Sequence, residues 1–122
     1  MGLDSRWQMK RLTTPTHEFI FEVNPNEWDA FRITYKQAGK IILERTEADN
    51  YKIEERQGTN SIKYKLSYRL SQVETQKFQA NVKTEIQIRC HYPDGSSFAS
   101  DVIPLNVAEV LNQEILGDDI DD

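Results

Sequence analysis

The chain has 122 residues, of which 38% are hydrophobic and 29% charged, and a formal net charge of −5. That is the length of one domain, large enough to bury a core. No apolar run approaches the ~20 residues of a membrane helix, and a mildly acidic chain lacks the concentrated Lys and Arg on which nucleic-acid binding rests. Neither membrane nor nucleic acid is therefore expected as a partner.

Residues 1–12 read as an N-terminal arm. Trp7, Met9 and Leu12 sit among charges with no clean period. The arm has no continuous apolar stretch of the kind a secretory signal needs, so synthesis in the cytosol is the expectation. Trp7 is costly to leave in water. It is expected to pack on its own domain or on a neighbouring subunit, against the alternative of an unstructured end.

Residues 13–117 read as a β domain. The first strand spans His17 to Val23, with Phe19, Phe21 and Val23 inward and Glu18 and Glu22 outward; His17 is assigned to the outward side. Asn24-Pro25-Asn26-Glu27 predicts a single helical turn: Asn24 caps, Pro25 suits the first helical position, and Glu27 reaches back. Trp28 is expected to plug the end of the domain. Phe31, Ile33 and Tyr35 mark the second strand. Ala38-Gly39 makes a tight turn into Ile41–Thr46, where Ile41 and Leu43 share one parity and Ile42 takes the other, predicting burial on both faces. A short strand around Tyr51 and Ile53 follows.

Two long strands then alternate strictly. Ile62, Tyr64, Leu66, Tyr68 and Leu70 oppose Lys63, Lys65, Ser67 and Arg69; Val82, Thr84, Ile86, Ile88, Cys90 and Tyr92 oppose Lys83, Glu85, Gln87, Arg89 and His91. Each has one dry and one charged face, the pattern of an antiparallel sheet wet on one side. Between them, Ser71-Gln72-Val73-Glu74 is a capping box and predicts a short helix to about Phe78. Pro93-Asp94-Gly95-Ser96 is a turn signal, and Phe98–Leu105 returns as the partner strand. Pro104 has no N–H to donate and must lie at an edge or a strand end. Val107, Val110, Leu111 and Ile115 fall at helical spacing after an Asn106 cap, with Gly117 as the stop, which predicts a C-terminal helix; the alternative is that Val107 extends the strand. Residues 118–122 read as an acidic, disordered tail.

The sum is all-β: an antiparallel two-sheet β-sandwich of immunoglobulin-like size with about seven strands, short helical turns and the C-terminal helix. It should fold without a disulfide or a metal.

The sequence offers no catalytic residue, no cofactor site and no metal site. A lone Cys90 on the apolar parity allows no intramolecular disulfide and reads as a small buried hydrophobe. His17 and His91 lie on different strands without a converging third ligand. Adjacent carboxylates such as Glu54-Glu55 diverge along a strand, and there is no nucleophile elbow or phosphate-cradling glycine loop. The expectation is a non-enzyme. The candidate contact residues are Trp7, Trp28 and the Lys63, Lys65, Arg69 face, together with the exposed strand edges.

Three segments in order carry a family resemblance: Leu70-Ser71-Gln72-Val73-Glu74-Thr75-Gln76-Lys77-Phe78, then Ile86-Gln87-Ile88-Arg89, then Asp94-Gly95 with Ala99-Ser100-Asp101 and Val107–Leu116 beyond. With the opening Thr14-Pro15-Thr16-His17-Glu18-Phe19, this resembles a family of short proteins, slightly over 100 residues, encoded in prophages of Gram-positive bacteria. The chain departs from that pattern at Ser71 and Val73, where Thr and Glu are expected. The resemblance implies a phage structural or assembly protein of the tail or baseplate region. It would be made in the host cytoplasm, incorporated in the virion, and partnered by other phage structural proteins and by itself as a homo-oligomer. The alternatives are a carbohydrate- or host-protein-binding module and an intracellular regulator.

Overall fold

The computed structural model describes residues 7–119. The strands are β1 (Gln8–Lys10), β2 (Thr16–Phe21), β3 (Ala30–Gln37), β4 (Lys40–Thr46), β5 (Lys52–Gln57), β6 (Ile62–Arg69), β7 (Thr84–His91), β8 (Ser97–Ala99) and β9 (Ile103–Ala108), with a short α-helix, α1 (Gln72–Gln76), and a 3-10 turn at Pro25–Glu27 capped by Asn24. The protein is all-β in two sheets. The large one has six strands in the order β1-β9-β7-β3-β4, with β8 also on β7; the small one is β2-β6-β5.

All the pairings are antiparallel except one. β1 runs parallel to β9, with Met9 beside Val107, and both of these side chains are buried. β7 is the spine of the large sheet: β3 pairs with its whole length, while β9 and β8 share its other side. The break between β8 and β9 is bridged by Ser100. Its hydroxyl accepts the Ile88 N–H at 3.0 Å and its own N–H donates to the Ile88 carbonyl at 2.8 Å, so the ladder is satisfied where the strand is not regular. Pro104 lies in β9 on the stretch that β1 does not cover, an open edge where a missing donor costs nothing.

The dry parities of both sheets meet in one core that includes Phe19, Leu66, Tyr68, Ile33, Tyr35 and Ile86. Trp28 sits edge-on to both Phe21 and Phe31, at 5.2 and 6.0 Å between ring centres, and so closes one end of the core. The tight turn expected at Ala38-Gly39 is present, and both residues are left-handed (φ 49° and 78°). The capping box is formed in both directions: Ser71 Oγ accepts the Glu74 N–H at 3.1 Å, and Glu74 Oε1 accepts the Ser71 N–H at 2.9 Å.

Several expectations change. No C-terminal helix forms among the described residues. Asn106 and Val107 belong to β9, where they pair with β1, and Leu111 is fully exposed. The pairing with β1, together with the Asn81 N–H donated to the Val107 carbonyl at 2.8 Å, holds this backbone extended, and Val107 is buried. His17 points inward, not outward: it shares the parity of Phe19 and is only 5% exposed. Ile42 does not make β4 double-faced. The register with β3 slips by one residue there, so Ile41 faces solvent, Leu43 faces the core, and Ile42 is the extra residue of a bulge, half-buried against the core. Among the described residues there are nine strands rather than about seven, because the arm contributes β1 and the last hairpin strand is divided.

The C-terminal segment is fastened to α1 without being helical. The Gln72 side-chain amide donates to the Leu116 carbonyl at 2.8 Å and accepts the Leu116 N–H at 2.9 Å. Asp119 accepts the N–H groups of Gln72 and Val73 at 2.7 and 2.8 Å, satisfying two of the helix's unpaired donors. Of the predicted acidic tail, residues 120–122 lie outside the described residues.

Candidate interaction surface

The residues with chemical potential fall into a buried network and an exposed face. The network begins on β2. His17 Nδ1 lies 2.5 Å from the Tyr35 hydroxyl, and that hydroxyl lies 2.7 Å from the hydroxyl of Tyr68. The Arg45 guanidinium stands over the Tyr68 ring at 5.1 Å and binds both carboxylate oxygens of Glu74, at 2.8 and 3.0 Å, as well as the Arg69 carbonyl at 3.2 Å. Burial, aided by the nearby Arg45 charge, lowers the His17 pKa to about 4, so the ring is neutral in ordinary conditions. Burial raises both tyrosines well above their usual range. The network therefore ties β2, β3, β6, β4 and α1 together. With every member but Glu74 withdrawn from solvent, it reads as internal bracing and not as a reacting centre.

His91 is elsewhere, its Nδ1 at 2.6 Å from Asp29. The two histidines share no site, and among the described residues no three His, Cys, Asp or Glu side chains are placed to hold a metal ion. Cys90 is partly buried and packs against the core, less deeply than a fully buried hydrophobe, and desolvation raises its thiol pKa.

The exposed face is the outer side of the small sheet. Strand registers bring Thr16, Glu18 and Ile20 of β2, Lys63, Lys65, Ser67 and Arg69 of β6, and Lys52, Glu54 and Arg56 of β5 onto it together. Lys63, Lys65 and Arg69 are thus assembled on one surface, joined by two cations of β5 that the sequence alone did not associate with them. Lys65 is held by Glu18 and Glu54, each at 3.3 Å, which also raises its pKa. A hollow of about 520 Å3 on this face is lined by Thr16, Glu18, Lys52, Glu54, Lys65 and Arg69.

The two tryptophans lie apart from this face. Trp7 packs on its own domain, against Phe19 at 5.2 Å and His17 at 5.8 Å, and Trp28 is part of the end plug. Among the described residues β1, β2, β4, β5 and β8 have an open edge. β5 is guarded by Lys52, Glu54, Glu55 and Arg56, and β4 by its bulge with Lys40 and Glu44; β8, with the exposed Phe98, carries no charge.

Comparison with protein-family models, with curated proteins and with solved structures gave no match. Among the described residues no helix is long and apolar enough to cross a membrane.

Proposed function

We propose that this chain is a non-enzymatic structural or assembly protein of a phage or prophage particle, of its tail or baseplate region, working through protein–protein contacts. The observation that carries the contact role is the division just described: the buried titratable groups brace the core, while charged groups are gathered on one outer sheet face beside open strand edges. The phage setting comes from the resemblance in the Leu70–Phe78, Ile86–Arg89 and Asp94–Leu116 segments.

We read the two sheets as the halves of a sandwich of immunoglobulin type. β2-β6-β5 follows the order B-E-D and β9-β7-β3-β4 the order G-F-C-C′, with β1 added on the last strand. A rigid body of this kind presents its faces and edges at fixed angles, which suits repeated packing in a symmetric assembly.

The test is mass spectrometry of gradient-purified particles from an induced lysogen. Stoichiometric peptides of this chain support the reading, and the copy number then assigns the ring or tip. Absence from particles with the chain abundant in the lysate overturns the particle role.

A second reading has one specific support. Phe98 is 60% exposed and stands edge-on to Tyr92 at 5.8 Å, an aromatic platform suited to a sugar ring. A carbohydrate-binding module would lose glycan affinity on Phe98→Ala without losing stability.

A further inference from the structure

The outer face of the small sheet holds a charge arrangement that the fold itself does not need. Arg56 on β5 and Lys63 on β6 stand directly opposite each other. Like charges opposed across an antiparallel pair are destabilising. Lys65 on the same face is matched by two carboxylates, but the exposed Lys52, Arg56, Lys63 and Arg69 form no ion pair among the described residues. The face is thus positive on a chain whose net charge is −5.

The negative charge is concentrated at the other end of the sequence. From Glu109 to Asp122 there are six acidic side chains and no Lys or Arg, and of these Glu109 is paired with Arg11 at 2.7 Å. The described part of this segment is fastened to α1 through Gln72 and Asp119, and that attachment leaves Glu114 and Asp118 exposed.

We propose that the Arg56–Lys63 face is the docking surface for the acidic C-terminal segment of a second copy of this chain. The inference rests on the protein–protein reading above and names its partner. The two surfaces are different patches, so copies either exchange segments reciprocally about a two-fold axis or join head to tail into a ring or an extended chain. The charges complement each other between copies, and attraction of this kind sets register and association rate. A nucleic acid is the poorer occupant, since the rest of the chain would repel it and Glu18 and Glu54 share the face.

Sedimentation velocity of the full chain at low and high salt tests this. Self-association at low salt that reverses at high salt is expected. Lys63→Glu should weaken it by about tenfold or more. The same substitution gives Arg56 a carboxylate opposite, so the thermal midpoint should stay unchanged or rise. Loss of association together with an unharmed fold cannot be assigned to unfolding. A protein that is monomeric at low salt overturns the proposal, as does association indifferent to salt or to Lys63→Glu, or a monomer that binds duplex DNA instead. A monomer found at stoichiometric levels in particles would remove this contact and leave the proposed function standing.

Discussion

The hydroxyls of Tyr35 and Tyr68 lie 2.7 Å apart although the two residues belong to different sheets. Each ring is almost wholly buried, so each hydroxyl needs a partner inside the protein. They serve one another, with His17 at one end of the chain of contacts and the Arg45–Glu74 pair at the other. A polar bracket therefore runs through an otherwise apolar core and fixes how one sheet lies on the other.

Stability should fall on mild acidification because of His17. The folded ring has a pKa of about 4, against 6.5 for an unperturbed histidine. Between those values the unfolded chain binds the extra proton, so stability is full above pH 6.5 and is lost as pH falls towards 4. The slope is about 1.4 kcal/mol per pH unit, or about 3 kcal/mol over the window. Urea unfolding across that range, repeated with His17→Phe, measures it. An unchanged slope in the variant would clear His17 of the effect.

The Arg45–Glu74 pair should respond unequally to loss of either partner. Arg45 is 4% exposed and Glu74 22%. Glu74→Ala strands a buried guanidinium and opens the helix cap, with an expected loss of about 3–5 kcal/mol. Arg45→Met leaves a carboxylate that reaches water and still accepts from Ser71, so the loss should be smaller. Chemical denaturation of both variants decides, and equal losses would count against this account.

Trp7→Ala should destabilise the isolated protein. Its ring packs on Phe19 and His17, and truncating a partly buried large side chain costs about 1.5–3 kcal/mol. A fold as stable as the parent would mean that the ring serves a contact between molecules.

Ala38→Asn should stabilise. Ala38 holds a φ of 49° in the β3–β4 turn, a left-handed conformation that asparagine tolerates far better than alanine. Asn-Gly is the favoured pair for such a turn, and a gain of about 0.5–1 kcal/mol in thermal or urea unfolding is expected.

Much of this fold was legible because the signals are local. Alternation marked β6 and β7, Ser71 and Glu74 announced the helix start, and Ala38-Gly39 and Asp94-Gly95 announced turns. Lys63, Lys65 and Arg69 shared a face by parity alone. His17 was misassigned because its outward side was inferred from residue type, while its true side follows from the parity of Phe19 and from hydroxyl partners on other strands. Ile42 was misread because a bulge shifts parity by one residue and leaves no mark in composition.

By itself the sequence determined the class, the strands with strict alternation, the caps and the turns, since these depend on interactions between residues a few positions apart. Tertiary structure decided the rest. It made Val107 a strand residue by pairing β9 with β1, turned His17 into the core, fastened Asp119 to α1, and placed Arg56 opposite Lys63. Each outcome turns on which distant backbone lies alongside, and that is settled only when the whole chain competes at once for partners and for burial.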